Sequence, residues 1–259
     1  LKVAPHIGGT NNHKPKGFNF KKHGLKPIRI HIWNDWIFIN LSGKAKKFQE
    51  YAKPLFSKFK DIDFNKLKYT ATLDFGKINT NWKFLIENFI EPYHVQFVHK
   101  TTTNQPLKDH YTIVDGICYG SGVNVKQEDN KNANALSVSS KYLSLFPNFI
   151  IGSYYPNQIG VYLNVPISPS ITSQKRIIYT NDGTVMTKKE SNITKKIWWN
   201  VHKEDHEICE RLQEGRFSPA SNEGGLLSPY WEKGVQVFQK LIIQETMKSS
   251  KLAKGKKNV

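Results

Sequence analysis

The sequence predicts an α+β fold in which helices pack against one antiparallel sheet. Four runs of β-type residues follow one another from residue 110 onward without a helical crossover between them, which is typical of an antiparallel meander. Two long helical patterns close the chain. With 259 residues, 38% of them hydrophobic, the chain is also long enough to bury a substantial core.

The first elements are irregular structure and a hairpin. Residues 1–24 are rich in Gly, Asn and Lys and show little periodicity. The segment that follows alternates strongly around Asn34-Asp35, which predicts two strands joined by a tight turn. Residues 44–59 read as helical, and residues 66–80 read as a strand that leads into the most informative part of the chain.

The second half carries the predicted meander and the closing helices. Turn residues bound each of the β-type runs, which cover residues 110–125, 143–156, 159–168 and 173–182. Helices are predicted over residues 187–216 and 229–248. The polar, basic end, at about residues 249–259, predicts a disordered tail.

The composition limits the classes of function. The net charge is +17, from 38 Lys and Arg against 21 Asp and Glu. A compositional drift toward Lys and Asn, an acidic protein partner and nucleic acid would each account for this charge. Nucleic acid is the least favoured of the three, because the sequence has no helix-turn-helix, zinc-finger or RNP-like signature.

The cellular setting is inferred from what the sequence lacks. No apolar run approaches the ~20 residues that a membrane span needs, and the first residues contain no apolar signal-peptide core. Two cysteines, Cys118 and Cys209, cannot form a disulfide framework. A cytoplasmic protein that does not enter membranes is therefore expected, with both thiols buried as small hydrophobes.

The stretch NWKFLIENFIEPYHVQFVHK, Asn81 to Lys100, combines an apolar helix pattern with a proline. From Trp82 onward, apolar residues recur at i, i+3, i+4, i+7 and i+8, which is one face of a helix. Thr80 or Asn81 can cap its start. Pro92 cannot donate the next helical hydrogen bond and biases Glu91 away from the helical region. The helix must therefore kink or restart at this point.

Two histidines follow this proline. In a regular helix His94 and His99 would point ~140° apart, so they could share one ligand only if the backbone distorts between them. The residues alone therefore leave two interpretations open, half of a metal site or two structural histidines.

The whole stretch closely resembles the iron-ligand segment of Rieske-type non-haem iron oxygenases, the ring-hydroxylating oxygenase α-subunit family. The family form has Asn-Trp-Lys, then Glu-Asn, then an acidic residue three before the first His and a second His five later, and all of these are present. The resemblance extends to residues 24–43, 142–148, 203–215 and 227–240. It implies a helix-grip catalytic domain, with a curved antiparallel sheet and a long C-terminal helix over a pocket.

The resemblance also implies a ligand set. His94, His99 and Asp205 would hold a mononuclear Fe(II) ion with two imidazoles and one carboxylate. Asp205 matches the family because it follows Glu204 and precedes Gln213 by eight residues. Its local sequence fits a solvated, charged helix face equally well. The nearest alternative ligands are Glu204, His202 and His206.

Two further residues match the family near the iron. Glu91 stands where relatives place an acidic residue between the mononuclear iron and the Rieske cluster of a neighbouring subunit, and where it could orient an imidazole on each side. A Glu here resembles the branch that acts on choline- or carnitine-like substrates. Asn88 matches a residue near the iron. Glu91 could also cap the helix before Pro92, in addition to this bridging role, and Asn88 could instead cap the broken turn.

The electron-entry motif of the family is missing from this sequence. A Rieske [2Fe–2S] cluster needs Cys-x-His and Cys-x-x-His pairs, whereas Cys118 precedes Tyr-Gly and Cys209 precedes Glu-Arg. We therefore interpret residues 1–43 as the C-terminal remnant of a Rieske domain and residues 44–259 as the catalytic domain of an N-terminally truncated chain. The full-length protein is expected to carry the cluster.

The implied function is the terminal oxygenase component of a Rieske oxygenase. It would use Fe(II) and O2 to hydroxylate or oxidatively dealkylate a small organic substrate, either aromatic or quaternary-ammonium-like. Electrons would come from NAD(P)H through a reductase, a ferredoxin or both, and a homotrimer is expected. The alternative is a non-catalytic helix-grip protein that binds a small apolar ligand and in which the histidines are structural.

Overall fold

The computed structural model describes residues 1–103, 105–124 and 139–255 and divides the chain into two compact units. The first unit, Leu1–Tyr51, contains an antiparallel pair of strands, β1 (Arg29–Trp33) and β2 (Trp36–Asn40). This confirms the predicted hairpin. Asn34 adopts a φ of 52° in the turn, a left-handed conformation that Asn tolerates better than most residues.

A short helix completes the first unit. Helix α1 (Phe48–Tyr51) places the ring of Phe48 4.5 Å from His31 and 4.3 Å from Phe38, measured between ring centres. These contacts give the hairpin a small aromatic core on one face. The interpretation of this unit as the end of a Rieske domain stays a prediction.

The second unit, Ala52–Val259, is built on a seven-stranded antiparallel sheet. Its strands are β3 (Lys68–Ile78), β4 (His110–Asp115), β5 (Cys118–Asn124), β6 (Ser139–Leu145), β7 (Phe149–Tyr154), β8 (Gln158–Ser168) and β9 (Ile171–Thr180). The order across the sheet is β3-β9-β8-β7-β6-β5-β4. Strands β4 to β9 form the predicted meander, and β3 pairs with the last of them.

Helices connect and cover this sheet. They are α2 (Lys53–Lys58), α3 (Trp82–Ile90), α4 (Val95–Val98), α5 (Lys188–Arg216) and α6 (Lys233–Gly255), with 3-10 turns at Phe64–Lys66, Leu107–Asp109 and Pro219–Glu223. A capping box between Thr187 and Glu190 starts α5. The α+β prediction is confirmed, whereas the helix-grip assignment stays a prediction.

Helix α6 corrects one expectation about the end of the chain. It continues to Gly255, although residues 249–259 were expected to form a disordered tail. The segment contains Lys, Leu and Ala, which favour helices. Residues 256–259 lie outside the described part of the chain.

One core cluster joins α3, the sheet and α6. It consists of Ile86, Ile90, Tyr119, Ile150, Tyr162, Val235 and Phe238, all at most 5% exposed. Both cysteines are buried and unpaired, as predicted. Within the described residues, none of the helices combines the length and the apolar character that crossing a bilayer requires.

Candidate metal centre

Helix α3 begins and ends where the sequence predicts. The side chain of Asn81 accepts a hydrogen bond from the backbone N–H of Lys83 at 3.0 Å and so caps the first turn. The last helical residue is Ile90, and Glu91 is extended, with φ −108° and ψ 143°, immediately before Pro92. The proline therefore redirects the chain at this point.

The start of α3 is hydrogen-bonded to α5. Thr80 donates its hydroxyl to the carbonyl of Cys209 at 3.0 Å, and the backbone N–H of Asn81 donates to Oε1 of Gln213 at 2.9 Å. Both acceptors lie on the buried face of α5. These bonds fix the position of the first helix relative to the second.

The short helix α4 brings the two histidines together. His94 is its N-cap and His99 its C-cap, the latter with φ −86° and ψ 44°, so neither histidine lies inside a continuous helix. Their ring centres are 5.2 Å apart. This is the backbone distortion that a shared ligand requires of histidines five residues apart.

Asp205 enters the site from the inner face of α5. The buried residues of this helix follow a spacing of three or four and include Trp198, Val201, His202 and Cys209. Asp205 falls on the same stripe, and its side chain is only 14% exposed. The carboxylate therefore faces the protein interior and does not belong to a solvated charged face.

The three side chains converge on one point. Oδ1 of Asp205 lies 3.1 Å from Nε2 of His99 and 3.6 Å from Nε2 of His94, and the donor atoms of all three residues lie within 4.8 Å of one another. Ligands bound to one metal at ~2.1 Å are separated by roughly 3 Å when they are adjacent. Two imidazole nitrogens and one carboxylate oxygen with this spacing fit an Fe(II) ion.

The other ring nitrogen of each histidine is already engaged. Nδ1 of His94 lies 2.5 Å from Oε1 of Glu91, and Nδ1 of His99 lies 2.8 Å from Oε2 of Glu204. These contacts leave Nε2 of both rings facing Asp205. Such carboxylate–histidine pairs orient metal-ligating imidazoles. Glu204, an alternative ligand in the sequence, thus supports His99 in this structure.

Glu91 and Asn88 also contact the converging side chains. Besides His94 Nδ1, Glu91 accepts hydrogen bonds from the backbone N–H groups of Tyr93 and His94, so it caps the broken turn as well. Asn88 donates its amide to Oδ1 of Asp205 at 2.8 Å. Both residues therefore contact a candidate ligand directly.

The electrostatics of the three converging side chains favour a cation. Burial lowers the pKa of the His94 imidazole, but the carboxylates of Glu91 and Asp205 outweigh burial and raise it to about 10. Burial opposes the charge of Asp205, yet the surrounding histidines hold the pKa of its carboxyl well below the usual range. A divalent ion would satisfy the same negative charge that otherwise holds protons on the histidines.

The remaining alternative ligands serve other contacts. His202 lies 3.5 Å from Oδ2 of Asp205 through Nδ1, while its Nε2 lies 2.9 Å from Nη1 of Arg176. Burial lowers the pKa of His202 to about 4. His206 bonds Gln174 at 2.7 Å. In the described parts of the chain, neither belongs to the group of converging donor atoms.

A pocket opens beside the converging side chains. Its cavity volume is about 70 Å³, several times the ~10–15 Å³ that one water requires. Aromatic residues form much of the wall, namely Phe89, Tyr142, Tyr154, Tyr162 and Trp198. Polar side chains complete it, including Gln105, His110 and Ser121.

The sequence does not single out most of these pocket residues. Arg176, fully buried behind the aromatic wall, looks like a solvated residue of an alternating strand. The proximity of these residues depends on the pairing of β8 with β9 and on the packing of α5, which no local pattern reveals.

Known proteins resemble this chain in sequence. A family model described as ring hydroxylating alpha subunit (catalytic domain) matches residues 60–247. The chloroplastic choline monooxygenase of Atriplex hortensis is 26% identical over 221 residues, which cover 83% of this chain and 50% of that protein. The large oxygenase component of salicylate 5-hydroxylase from Ralstonia sp is 30% identical over 94 residues, 36% of this chain and 22% of that protein.

A solved structure resembles it in fold. The quaternary ammonium Rieske monooxygenase CntA, crystallised with an inhibitor, matches with a TM-score of 0.70 at 17% identity, over 88% of this chain and 64% of that chain. At this identity the likeness establishes the fold alone. The chain spans about half the length of the choline monooxygenases that it matches.

Proposed function

Because the chain belongs to the ring-hydroxylating oxygenase α-subunit family, we propose that it is the mononuclear-iron part of a Rieske-type terminal oxygenase. In this proposal it uses Fe(II) and O2 to hydroxylate or oxidatively dealkylate a small organic molecule. The observation that carries the proposal is the convergence of His94, His99 and Asp205 beside a pocket.

The chain would supply the ligands and their orientation. His94, His99 and Asp205 would hold Fe(II), which would supply the activation of dioxygen when bound. Glu91 and Glu204 hold the Nδ1 sides of His94 and His99, which leaves each Nε2 free to bind the ion. Asn88 fixes the rotation of the Asp205 carboxylate.

The pocket would hold the substrate next to the ion. Its wall is mainly aromatic and buried, which excludes water from the reacting atoms and favours an organic molecule over bulk solvent. Relatives named choline monooxygenase and salicylate 5-hydroxylase leave both a quaternary-ammonium-like and an aromatic substrate open for this chain.

In this proposal, electrons would reach the iron site by way of Glu91. This carboxylate contacts His94 on one side, and in the proposal its second role is to meet a Rieske [2Fe–2S] cluster of a neighbouring subunit in a homotrimer. NAD(P)H would supply the electrons through a reductase, a ferredoxin or both. An acidic carrier would suit the net charge of +17, so the rate of reduction should fall as salt increases.

Anaerobic reconstitution with Fe(II) tests the proposal. We expect about one iron per chain in the parent protein and a large loss in Asp205→Ala. Glu207→Ala is the matched control, because Glu207 lies on the same helix with its side chain exposed, outside the donor group. A folded parent chain without bound iron, or an unchanged iron content in Asp205→Ala, would contradict the proposal.

The second candidate is a non-catalytic protein that binds a small apolar ligand in the same pocket. The enclosed aromatic wall favours it as well. It predicts that ligand affinity does not depend on iron and is unchanged in His94→Ala. Ligand titrations of the parent and of this variant, each with and without Fe(II), therefore separate the two functions.

A further inference from the structure

His202 lies between a candidate metal ligand and a buried cation. It precedes Asp205 by three residues on α5, so the two side chains are neighbours on one face of the helix. Its Nδ1 lies 3.5 Å from Oδ2 of Asp205, and its Nε2 lies 2.9 Å from Nη1 of Arg176. The imidazole, which is only 5% exposed, therefore connects the two charged groups.

The cation at one end of this connection can only donate hydrogen bonds. Arg176 is 0% exposed, and its guanidinium carbon lies 3.4 Å from the ring centre of Trp198 and 4.7 Å from that of Tyr154. A guanidinium stays protonated in proteins and has no acceptor atom. Because the two rings hold it in place, the N–H group at Nη1 stays directed at His202.

This contact decides which ring nitrogen of His202 carries the proton. A proton on Nε2 would place two donors 2.9 Å apart, so Nε2 must present its lone pair to Arg176. The hydroxyl of Tyr162 accepts from Nη1 at 2.6 Å and lies 3.2 Å from the same Nε2, to which it can donate its own proton. The single proton of the neutral imidazole is therefore on Nδ1, the nitrogen that faces Asp205.

The two oxygens of Asp205 thus face different partners. Oδ1 lies 3.1 Å from Nε2 of His99 and 3.6 Å from Nε2 of His94. The same oxygen accepts the amide N–H of Asn88 at 2.8 Å. Oδ2 faces the Nδ1–H of His202 at 3.5 Å, a long contact that is still attractive because the carboxylate is charged and the site is buried. Rotating the carboxylate would disrupt both contacts.

We infer that His202 is a positioning residue for the metal ligand Asp205, and that Arg176 acts through it by fixing its tautomer. His202 does not itself bind the metal, because the nitrogen that faces the site carries a proton and has no free lone pair. The inference rests on the proposed function, since it concerns a ligand of the same site. It also gives the buried Arg176 a role in that site.

NMR spectroscopy of the metal-free protein tests the tautomer. Two-bond correlations in protein labelled with ¹⁵N-histidine distinguish a protonated from an unprotonated ring nitrogen, and the spectrum of His202→Asn identifies the His202 signals by their loss. At pH 7.5 we expect a proton on Nδ1 and none on Nε2. A proton on Nε2, or on both nitrogens, would overturn the inference.

A variant of the cation tests how the tautomer is fixed. Arg176→Met keeps the length of the side chain and removes its donors, so the tautomer with the proton on Nε2 should become populated. Lys175→Met is the matched control, because Lys175 is adjacent on β9 and pairs with the exposed Asp74. Its spectrum should match that of the parent. An unchanged tautomer in folded Arg176→Met would overturn the role of Arg176.

Two substitutions of nearly equal size test whether the donor at position 202 acts on the metal. The amide nitrogen of Asn can take the place of Nδ1 and donate to Oδ2 of Asp205, whereas Leu cannot donate. In anaerobic Fe(II) titrations, His202→Leu should bind iron about 10–100-fold less tightly than the parent. His202→Asn should remain within about threefold of the parent. A purely structural role for His202 would weaken both variants alike.

The outcomes separate this inference from the proposed function. A parent chain that binds iron, together with equal affinities of folded His202→Leu and His202→Asn, would contradict the inference alone. A folded parent chain without bound iron would contradict the proposed function and the inference with it. The tautomer is measured without metal, so it tests the geometry of His202 and Arg176 in either case.

Discussion

Oε2 of Glu204 lies 2.8 Å from Nδ1 of His99, although the two residues are 105 positions apart in the chain. The same carboxylate accepts hydrogen bonds from the hydroxyls of Thr101 at 3.0 Å and Thr102 at 2.5 Å. Three groups from the segment after α4 therefore meet one side chain of α5. This contact holds the second histidine in place while its neighbour in sequence, Asp205, faces the candidate metal position.

Removing the charge of Glu204 should weaken metal binding without removing a ligand. In Glu204→Gln the amide is a weaker acceptor for the N–H of His99, so we expect metal affinity to fall about 10–100-fold. Anaerobic Fe(II) titration of the folded variant measures this. Glu207→Gln, on the exposed side of the same helix, should bind iron like the parent. A Glu204→Gln affinity equal to that of the control would refute the orienting role.

Metal binding should release protons and strengthen as pH rises. In the metal-free chain the pKa of His94 is about 10, because Glu91 and Asp205 outweigh the effect of burial. An ion must displace this proton, so the apparent affinity should rise about tenfold per pH unit for each proton released, from neutral pH toward pH 10. Co(II) titrations at pH 6.5, 7.5 and 8.5 measure the slope. A pH-independent affinity would contradict this account of the site.

The sequence predicts the individual helices of this site, but it does not predict which of their side chains come into contact. The helix stripe from Trp82 and the break before Pro92 follow from local periodicity and proline geometry, and both occur as predicted. Glu204 and Asp205 are adjacent on one helix and point ~100° apart. Which of them meets the histidines depends on where α4 packs, and that is a tertiary property.

The burial of Arg176 in the sheet is likewise not predictable from the local sequence. In the sequence it follows Gln174 and Lys175, as a residue of a solvated strand face would. Its burial requires Trp198 from α5 to cover it and Gly160 on β8 to leave room for it. Neither requirement is visible in a single segment, so periodicity alone cannot place a buried cation there.

Acid should destabilise the chain partly through His110. Burial, together with the nearby charge of His94, lowers the pKa of this histidine to about 4, although the backbone of Gln105 and the carboxylate of Glu91 oppose the shift. The unfolded chain, with an ordinary pKa near 6.5, therefore binds more protons between pH 6.5 and 4. The contribution of His110 is present above pH 6.5 and is lost as pH falls toward 4.

His110→Phe removes this titration. The free energy of unfolding of the variant should fall less steeply with acid than that of the parent, by up to about 1.4 kcal/mol per pH unit. Urea unfolding of the metal-free proteins at pH 7 and pH 5 gives the comparison. His202, whose pKa is also lowered by burial, remains in both chains and sets the residual slope. Equal losses in the two proteins would show that His110 is not a buried neutral group.

Replacing a glycine by alanine should destabilise the protein at Gly160, which lies beside Arg176, and stabilise it at Gly215. A Cβ at Gly160 would lie 2.8 Å from Nη2 of Arg176 and 3.0 Å from its Cζ, and the stacked guanidinium has little room to move. Gly160→Ala should therefore lower the free energy of unfolding by about 1–3 kcal/mol. Gly215 lies in α5, is exposed and meets nothing within 4 Å, so Gly215→Ala should raise it by about 0.5–1 kcal/mol. Urea unfolding of both variants tests the pair, and a neutral Gly160→Ala would mean that the guanidinium is not held against the aromatic wall.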